Sequence, residues 1–208
     1  MHPPFRRNAL IRPAHGLTLF LTAAVTLVYA LILHAAPVKA ENIANDKATS
    51  AAGAAEILRD PAILPDSVQR MRHAMMVAAM TGEIQSMRVP VEMNEIPPII
   101  SNEKMDDPIE HWKTVSGDGE GREILSILIR LFRTGFLREA AGTGDEMFVW
   151  PYFASTPIAE LTPAQQVELL TIVTPERFKA MQTSGVYDYY RIGIAHDGTW
   201  HYFIDKDM

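Results

Sequence analysis

Residues 190–204 read YRIGIAHDGTWHYFI. Asp197-Gly198 stands between two segments of alternating apolar residues, and an Asp-Gly pair in that setting predicts a β-hairpin with strands over 187–195 and 199–205. Because opposed residues share a face of the sheet, the register decides which side chains reach the core. A two-residue turn predicts the pairs His196–Thr199, Ala195–Trp200, Ile194–His201, Gly193–Tyr202 and Ile192–Phe203.

One face of this predicted hairpin is aromatic around a bare glycine. It carries Tyr189, Arg191, Gly193, Trp200, Tyr202 and Ile204, whereas the more aliphatic face with Tyr190, Ile192, Ile194, His201 and Phe203 is expected in the core. Flat aromatic surfaces stack on sugar rings or peptide side chains. The candidate ligand-binding residues are Trp200, Tyr202, Tyr189, Arg191, and, if a second hairpin shares the sheet, Trp150 and Tyr152. The alternative is plain packing, in which the aromatic rings cover Gly193 beneath a helix.

The rest of the chain predicts helices followed by strands. Residues 122–134 form the strongest helical pattern, since apolar side chains recur at i, i+3, i+4 and i+7, and this helix is expected at the centre of the core against the sheet. Other helices are predicted over 55–59, 66–81, 107–115, 162–172 and 174–185, and extended coil over 89–105. Strands 136–141 and 146–150 flank a hairpin loop at 142–145. The expected fold is α+β, with five or six helices packed on a small antiparallel sheet built from two β-hairpins.

The first forty residues have the pattern of an export signal. Arg6, Arg7 and Arg12 precede an uncharged run over 17–33, and residues 38–40 have the small-x-small form of a cleavage site. Cleavage after Ala40 is favoured, and retention of 17–33 as an inner-membrane anchor is the alternative. Residues 41–55 are small and polar and predict a flexible linker before a single domain over 56–208. The expected location is periplasmic or secreted.

Charge limits the class of partner. The chain has 19 basic and 25 acidic residues, and residues 1–40 hold four basic residues and no acidic one. The remaining 15 basic and 25 acidic residues give a formal net charge of −10, which argues against nucleic acid and anionic membrane surfaces. A cell-wall glycan, a peptide or another envelope protein is compatible with this charge. The chain has no cysteine, so its domain is held together without disulfides.

The loop 116–121 supplies the candidate residues for catalysis. Asp118 and Glu120 could act with a histidine in a cell-wall hydrolase, which is the alternative to a non-enzymatic binding module. The other interpretation is a helix start with acidic residues favourably near its N-terminus. His196 and His201 with Asp197 are too few for a convincing metal site, so the sequence predicts no metal and no cofactor.

Four segments resemble a family of small exported bacterial envelope proteins with no assigned activity. They are Asn94–Pro98, Ser116–Arg122, the segment Gly142–Met147 with Val149–Phe153, and Tyr190–Ile194 with Asp197–Trp200. The resemblance runs from about Met71 to the end of the chain. It implies an envelope protein and carries over no catalytic residue.

Overall fold

The computed structural model describes residues 56–205. The predicted export signal over 1–40, its apolar segment 17–33 and the linker 41–55 lie outside the described residues. Within 56–205, no helix combines the length and apolar character needed to cross a membrane.

The described residues contain six α-helices. They are α1 (Asp66–Met80), α2 (Arg88–Glu92), α3 (Pro108–Val115), α4 (Arg122–Leu131), α5 (Pro163–Leu169) and α6 (Pro175–Ser184). Four 3-10 helices accompany them, at Pro61–Ile63, Ile84–Met87, Tyr152–Ser155 and Ile158–Glu160. Together with the sheet described next, they confirm the predicted α+β class.

Side-chain caps explain where several helices begin. The Asp107 carboxylate accepts a hydrogen bond from the backbone N–H of Ile109 at 2.9 Å, and Pro108 opens α3 without needing a donor. Thr162 and Gln165 form a reciprocal capping box at the start of α5. Local signals of this kind are sufficient to predict both helix starts from the sequence.

One antiparallel sheet joins the two predicted hairpins. Its strands are β1 (Leu137–Glu139), β2 (Met147–Trp150), β3 (Arg191–Ala195) and β4 (Trp200–Ile204), in the spatial order β1-β2-β3-β4. The pairing of β2 with β3, in which Val149 lies opposite Gly193, connects the hairpins. Trp150 is the last residue of β2, and the cis peptide bond to Pro151 follows it.

The turn between β3 and β4 is longer than predicted. The N–H of Gly198 donates to the carbonyl of Ala195, and the N–H of Ala195 donates to the carbonyl of Thr199, both at 2.9 Å. Three residues, His196 to Gly198, therefore form the loop, and Gly198 has the positive φ of 94° that such a loop needs. The predicted pairing of Ala195 with Trp200 is wrong because it assumed a two-residue turn.

A β-bulge follows directly and restores the predicted register further along. Ile194 pairs with Trp200 rather than with His201, and the register shifts between Ile194 and Gly193. His201 is the extra residue, so its side chain is exposed and that of Trp200 turns to the buried face. Beyond the bulge, the predicted pairs Gly193–Tyr202 and Ile192–Phe203 are confirmed.

The core lies between the helices and one face of the sheet. Helix α4 packs against α1, and Phe132 directly after α4 meets the Trp150 ring edge-on at 5.2 Å between centroids. Five residues of α4 are buried, as its periodicity predicted: Ile124, Leu125, Ile127, Leu128 and Leu131. The helix therefore occupies the central position expected of it.

Two local predictions are wrong. A helix was expected over residues 55–59, but Leu58 forms an antiparallel β-bridge with Phe136 instead. The coil expected over 89–105 is interrupted by α2, which contains Pro90. Proline is tolerated there because it occupies the first turn, where backbone N–H groups have no partner within the helix.

Candidate functional site

A recess of about 620 Å3 opens between the segment 56–65 and the first hairpin. Its apolar lining includes Leu58, Ile63, Leu64 and Phe148, and its polar lining consists of Glu56, Arg138, Glu146 and His196. An apolar surface with a few convergent polar groups is typical of binding sites. We therefore treat it as the candidate site and call it the Glu146 recess.

Glu146 is the centre of the polar wall. Its side chain is only 4% exposed, and both carboxylate oxygens accept hydrogen bonds. Arg138 Nη2 donates to Oε2 at 2.6 Å, the backbone N–H of Gly142 donates to Oε2 at 2.7 Å, and His196 Nδ1 lies 2.7 Å from Oε1. These donors, Arg138 first, lower the pKa of Glu146 to about 2, so the group is a carboxylate at neutral pH.

His196 projects from this wall towards solvent. Because Oε1 of Glu146 is an acceptor, Nδ1 of the imidazole carries the hydrogen and Nε2 is left to face outward. The side chain of His196 is 61% exposed, and its backbone carbonyl accepts from Ser67 Oγ at 2.6 Å. The ring is therefore fixed at Nδ1 while most of the side chain stays exposed, which leaves Nε2 as the nitrogen that could hydrogen-bond to a bound ligand.

The Glu146 recess lies beside an edge of the sheet. Leu58 and Phe136 exchange both backbone hydrogen bonds at 2.8 Å, so Phe136 directs its backbone groups away from β2. Alternate residues of a strand direct these groups to the same side, which places the N–H and C=O of Arg138 on that edge too. No backbone hydrogen bond from another described segment reaches Arg138 there.

An ion-pair cluster anchors the segment that forms the opposite wall. Arg59 donates through Nη1 and Nη2 to the two oxygens of Glu168, at 2.9 and 2.8 Å. The same carboxylate accepts from the Tyr152 hydroxyl at 3.0 Å and from the backbone N–H of Gly135 at 3.2 Å. Glu168 therefore ties the segment 56–60 to α5 and to the sheet.

The β-bulge at His201 places Trp200 on the opposite side of the sheet from Tyr202, so the predicted aromatic face is not formed. Trp200 is fully buried, and its indole stacks on Trp112 with centroids 6.1 Å apart. Trp150 and Tyr152 are also buried, at 1% and 0% exposure, so all three rings contribute to packing. None of the three presents a surface to a ligand in this structure.

Three other residues of that face, Arg191, Gly193 and Tyr202, lie on the opposite side of the sheet, whereas Tyr189 precedes β3 and packs against the core. Tyr202 and Arg191 are half-buried there, and the Tyr202 ring covers Gly193 so closely that a Cβ on Gly193 would lie 2.4 Å from it. Tyr189 packs beneath the Arg177 guanidinium, 4.7 Å from the ring centroid. These residues are not brought together with Trp150, Tyr152 or Trp200.

The loop 116–121 forms a helix cap in the structure. Asp118 accepts hydrogen bonds from the Ser116 hydroxyl and from the backbone N–H of Arg122 at 3.2 Å. The Ser116 hydrogen bond is the main cause of the lowered pKa of Asp118. Glu120 is exposed and joins Asp118 only through its backbone N–H. These contacts match the structural interpretation of the loop, since they satisfy the start of α4.

Residues 56–205 contain no group of three or more His, Asp or Glu side chains placed to hold a metal ion. The bulge separates His196, which faces the Glu146 recess, from the exposed His201. Comparison of the chain with protein-family models, curated proteins and solved structures found no match. The resemblance to an exported envelope family therefore stays a prediction.

The Glu146 recess was not among the sites predicted from the sequence. Glu146 was expected only as the first residue of a strand, and Arg138 as a member of the preceding one. The predicted hairpin around 142–145 does bring the two strands together, so an ion pair between these residues was a detectable signal. His196 joins them through the pairing of β2 with β3, for which the sequence carries no local signal.

Proposed function

We propose that this chain is an exported, non-enzymatic binding protein of the cell envelope, and that the Glu146 recess takes an extended peptide segment of a partner protein. Export rests on the pattern of residues 1–40. Peptide binding rests on one observation: no backbone hydrogen bond from another described segment reaches the edge of β1 at Arg138, which lies beside the apolar lining of the recess.

The edge of β1 supplies backbone hydrogen bonds. Leu58 already pairs with Phe136, which shows that this edge accepts an antiparallel neighbour. A partner strand that continues along the edge would meet the N–H and C=O of Arg138. Peptides bind many proteins by adding a strand in this way, with affinity from main-chain bonds and specificity from side-chain pockets.

The recess supplies the side-chain pocket. Its apolar lining, with Phe148 buried and Ile63 54% exposed, can cover one or two apolar side chains of the partner. Its volume of about 620 Å3 falls within the usual range for ligand sites. His196 at the rim adds a hydrogen-bonding group through Nε2.

The proposal is tested by selecting random peptides on phage against the purified full chain and measuring their binding by fluorescence anisotropy. Selected peptides should contain alternating apolar residues. Their affinity should fall by about tenfold or more when backbone N–H groups that face β1 are N-methylated, since each methyl removes a hydrogen bond and adds bulk.

Two matched variants locate the binding surface. Ile63→Asp places a charge in the recess and should abolish binding, whereas Val167→Asp introduces the same charge at another exposed apolar residue, on α5 outside the recess. Equal loss of binding in both variants, or unchanged binding of N-methylated peptides, would contradict strand addition in the Glu146 recess.

A further inference from the structure

The charge around the Glu146 recess identifies the kind of peptide that fits it. We infer that the partner segment is basic, with apolar residues at its centre and lysine or arginine on either side. This inference rests on the proposed function and adds the chemistry of the partner to it.

Acidic side chains without an ion-pair partner surround the recess. Five exposed carboxylates line it or lie within two residues of a lining residue, and none of them forms an ion pair with the described residues: Glu56, Asp60, Asp66, Asp145 and Asp197. An extended peptide in the recess would therefore pass close to several uncompensated negative charges.

The positive charges of the same segments are already neutralised. Arg138 is paired with Glu146 at 2.6 Å, and Arg59 with Glu168 at 2.8 Å. His196, the remaining basic side chain at the rim, is held by the Glu146 carboxylate. The local net charge is thus negative, which agrees with the formal net charge of −10 for residues 41–208. Complementary charge favours encounter with a cationic segment and disfavours an acidic one.

Apolar contacts set the position of the segment, and charge selects its sequence. Leu58, Leu64 and Phe148 line the recess itself, whereas four of the five carboxylates are neighbours of lining residues along the chain. A peptide with apolar residues in the middle and cationic residues at both ends matches this distribution.

Three synthetic peptides, blocked at both termini, test the inference against the full chain: Lys-Lys-Val-Ile-Val-Lys-Lys and the same sequence with glutamine or glutamate in place of every lysine. We expect the lysine peptide to bind most tightly and the glutamate peptide least tightly at 50 mM salt. The difference should largely disappear at 1 M salt, where the Debye length is about 3 Å.

A charge-neutral variant identifies the carboxylates responsible. Glu56→Gln combined with Asp145→Asn removes two charges whose side chains cap no helix or turn, and should weaken binding of the lysine peptide about fivefold at low salt. Its binding of the glutamine peptide should not change. The control combines Glu176→Gln with Glu160→Gln, which removes two exposed charges away from the recess and should leave both affinities unchanged.

The outcomes separate this inference from the proposed function. Equal affinity of all three peptides, with loss of binding in Ile63→Asp, would overturn the preference for basic segments and leave peptide binding standing. A lysine-peptide affinity that falls equally in the test and control variants would also overturn it, since only the overall charge would then matter. Absence of binding by all three peptides would overturn the inference, and it would overturn the proposed function as well if the phage selection also yielded no binding peptide.

Discussion

The indoles of Trp112 and Trp200 stack in the core with an interplanar angle of 16° and 6.1 Å between their centroids. Trp200 is fixed further by Asn94, whose side-chain amide donates to its carbonyl at 2.7 Å and accepts from its N–H at 3.0 Å. Through these contacts, Trp200 of β4 packs on α3 and is hydrogen-bonded to the segment that follows α2.

Trp200→Ala should therefore destabilise the domain. Removing a buried tryptophan costs about 3–5 kcal/mol of unfolding free energy, because the cavity is only partly refilled. Urea denaturation followed by circular dichroism measures this loss. His201→Ala, at the exposed neighbouring residue, should change the stability by less than about 0.5 kcal/mol. A normally stable Trp200→Ala variant that loses binding would instead restore the aromatic face as a ligand site.

Gly193→Ala tests the close packing of Tyr202 on β3. The added Cβ would lie 2.4 Å from the Tyr202 ring and 2.7 Å from the Met147 sulfur, so both side chains must move. Overpacking of this kind costs about 1–3 kcal/mol. Gly144→Ala is the control, because a Cβ added there would meet no atom within 4 Å. The loss of unfolding free energy caused by Gly193→Ala should be smaller when Tyr202 is already replaced by alanine. An equal loss in both backgrounds would show that Tyr202 is not its cause.

The hairpins were predictable because their signals are local. Asp197-Gly198 marks a turn, and apolar alternation marks the flanking strands. The number of loop residues was not predictable, since two-residue and three-residue turns both accept an Asp-Gly pair. The side on which Trp200 lies depends on that number and on the bulge at His201. The stack on Trp112, distant in sequence, is the tertiary contact that accompanies the observed register.

The Glu146 recess depends more strongly on tertiary structure than the hairpins do. Arg138 and Glu146 are close in sequence across one hairpin, but the opposite wall at Leu58 was predicted as a helix. Its pairing with Phe136 arises from the edge of the sheet rather than from any periodicity in residues 55–59. The conformation of such a short segment is set mainly by the surface on which it packs and only slightly by the helix or strand propensities of its own residues.

The stability of the domain should depend on pH through Glu146. Its pKa is lowered from an ordinary value of 4.5 to about 2 in the folded state. A lowered folded pKa contributes stability that is present above the unfolded pKa and is lost as the pH falls from about 5 towards 2. Urea midpoints measured across this range should fall in the wild type and fall less steeply in Glu146→Gln. Glu120→Gln, an exposed control, should follow the wild type; a parallel decline in all three proteins would assign the acid sensitivity to other groups.

Glu168→Ala tests whether the ion-pair cluster holds the wall of the Glu146 recess. The change leaves the backbone N–H of Gly135 and the Tyr152 hydroxyl without their acceptor, and it removes both hydrogen bonds from Arg59. Leaving such donors unpaired costs about 1–3 kcal/mol, which urea denaturation measures. Because Arg59 adjoins Leu58, hydrogen exchange at the Leu58 amide should also accelerate more than exchange in α4. Glu160→Ala, at an exposed glutamate, should change neither quantity. Faster exchange throughout the domain in Glu168→Ala would mean that Glu168 supports the whole fold rather than the wall of the recess.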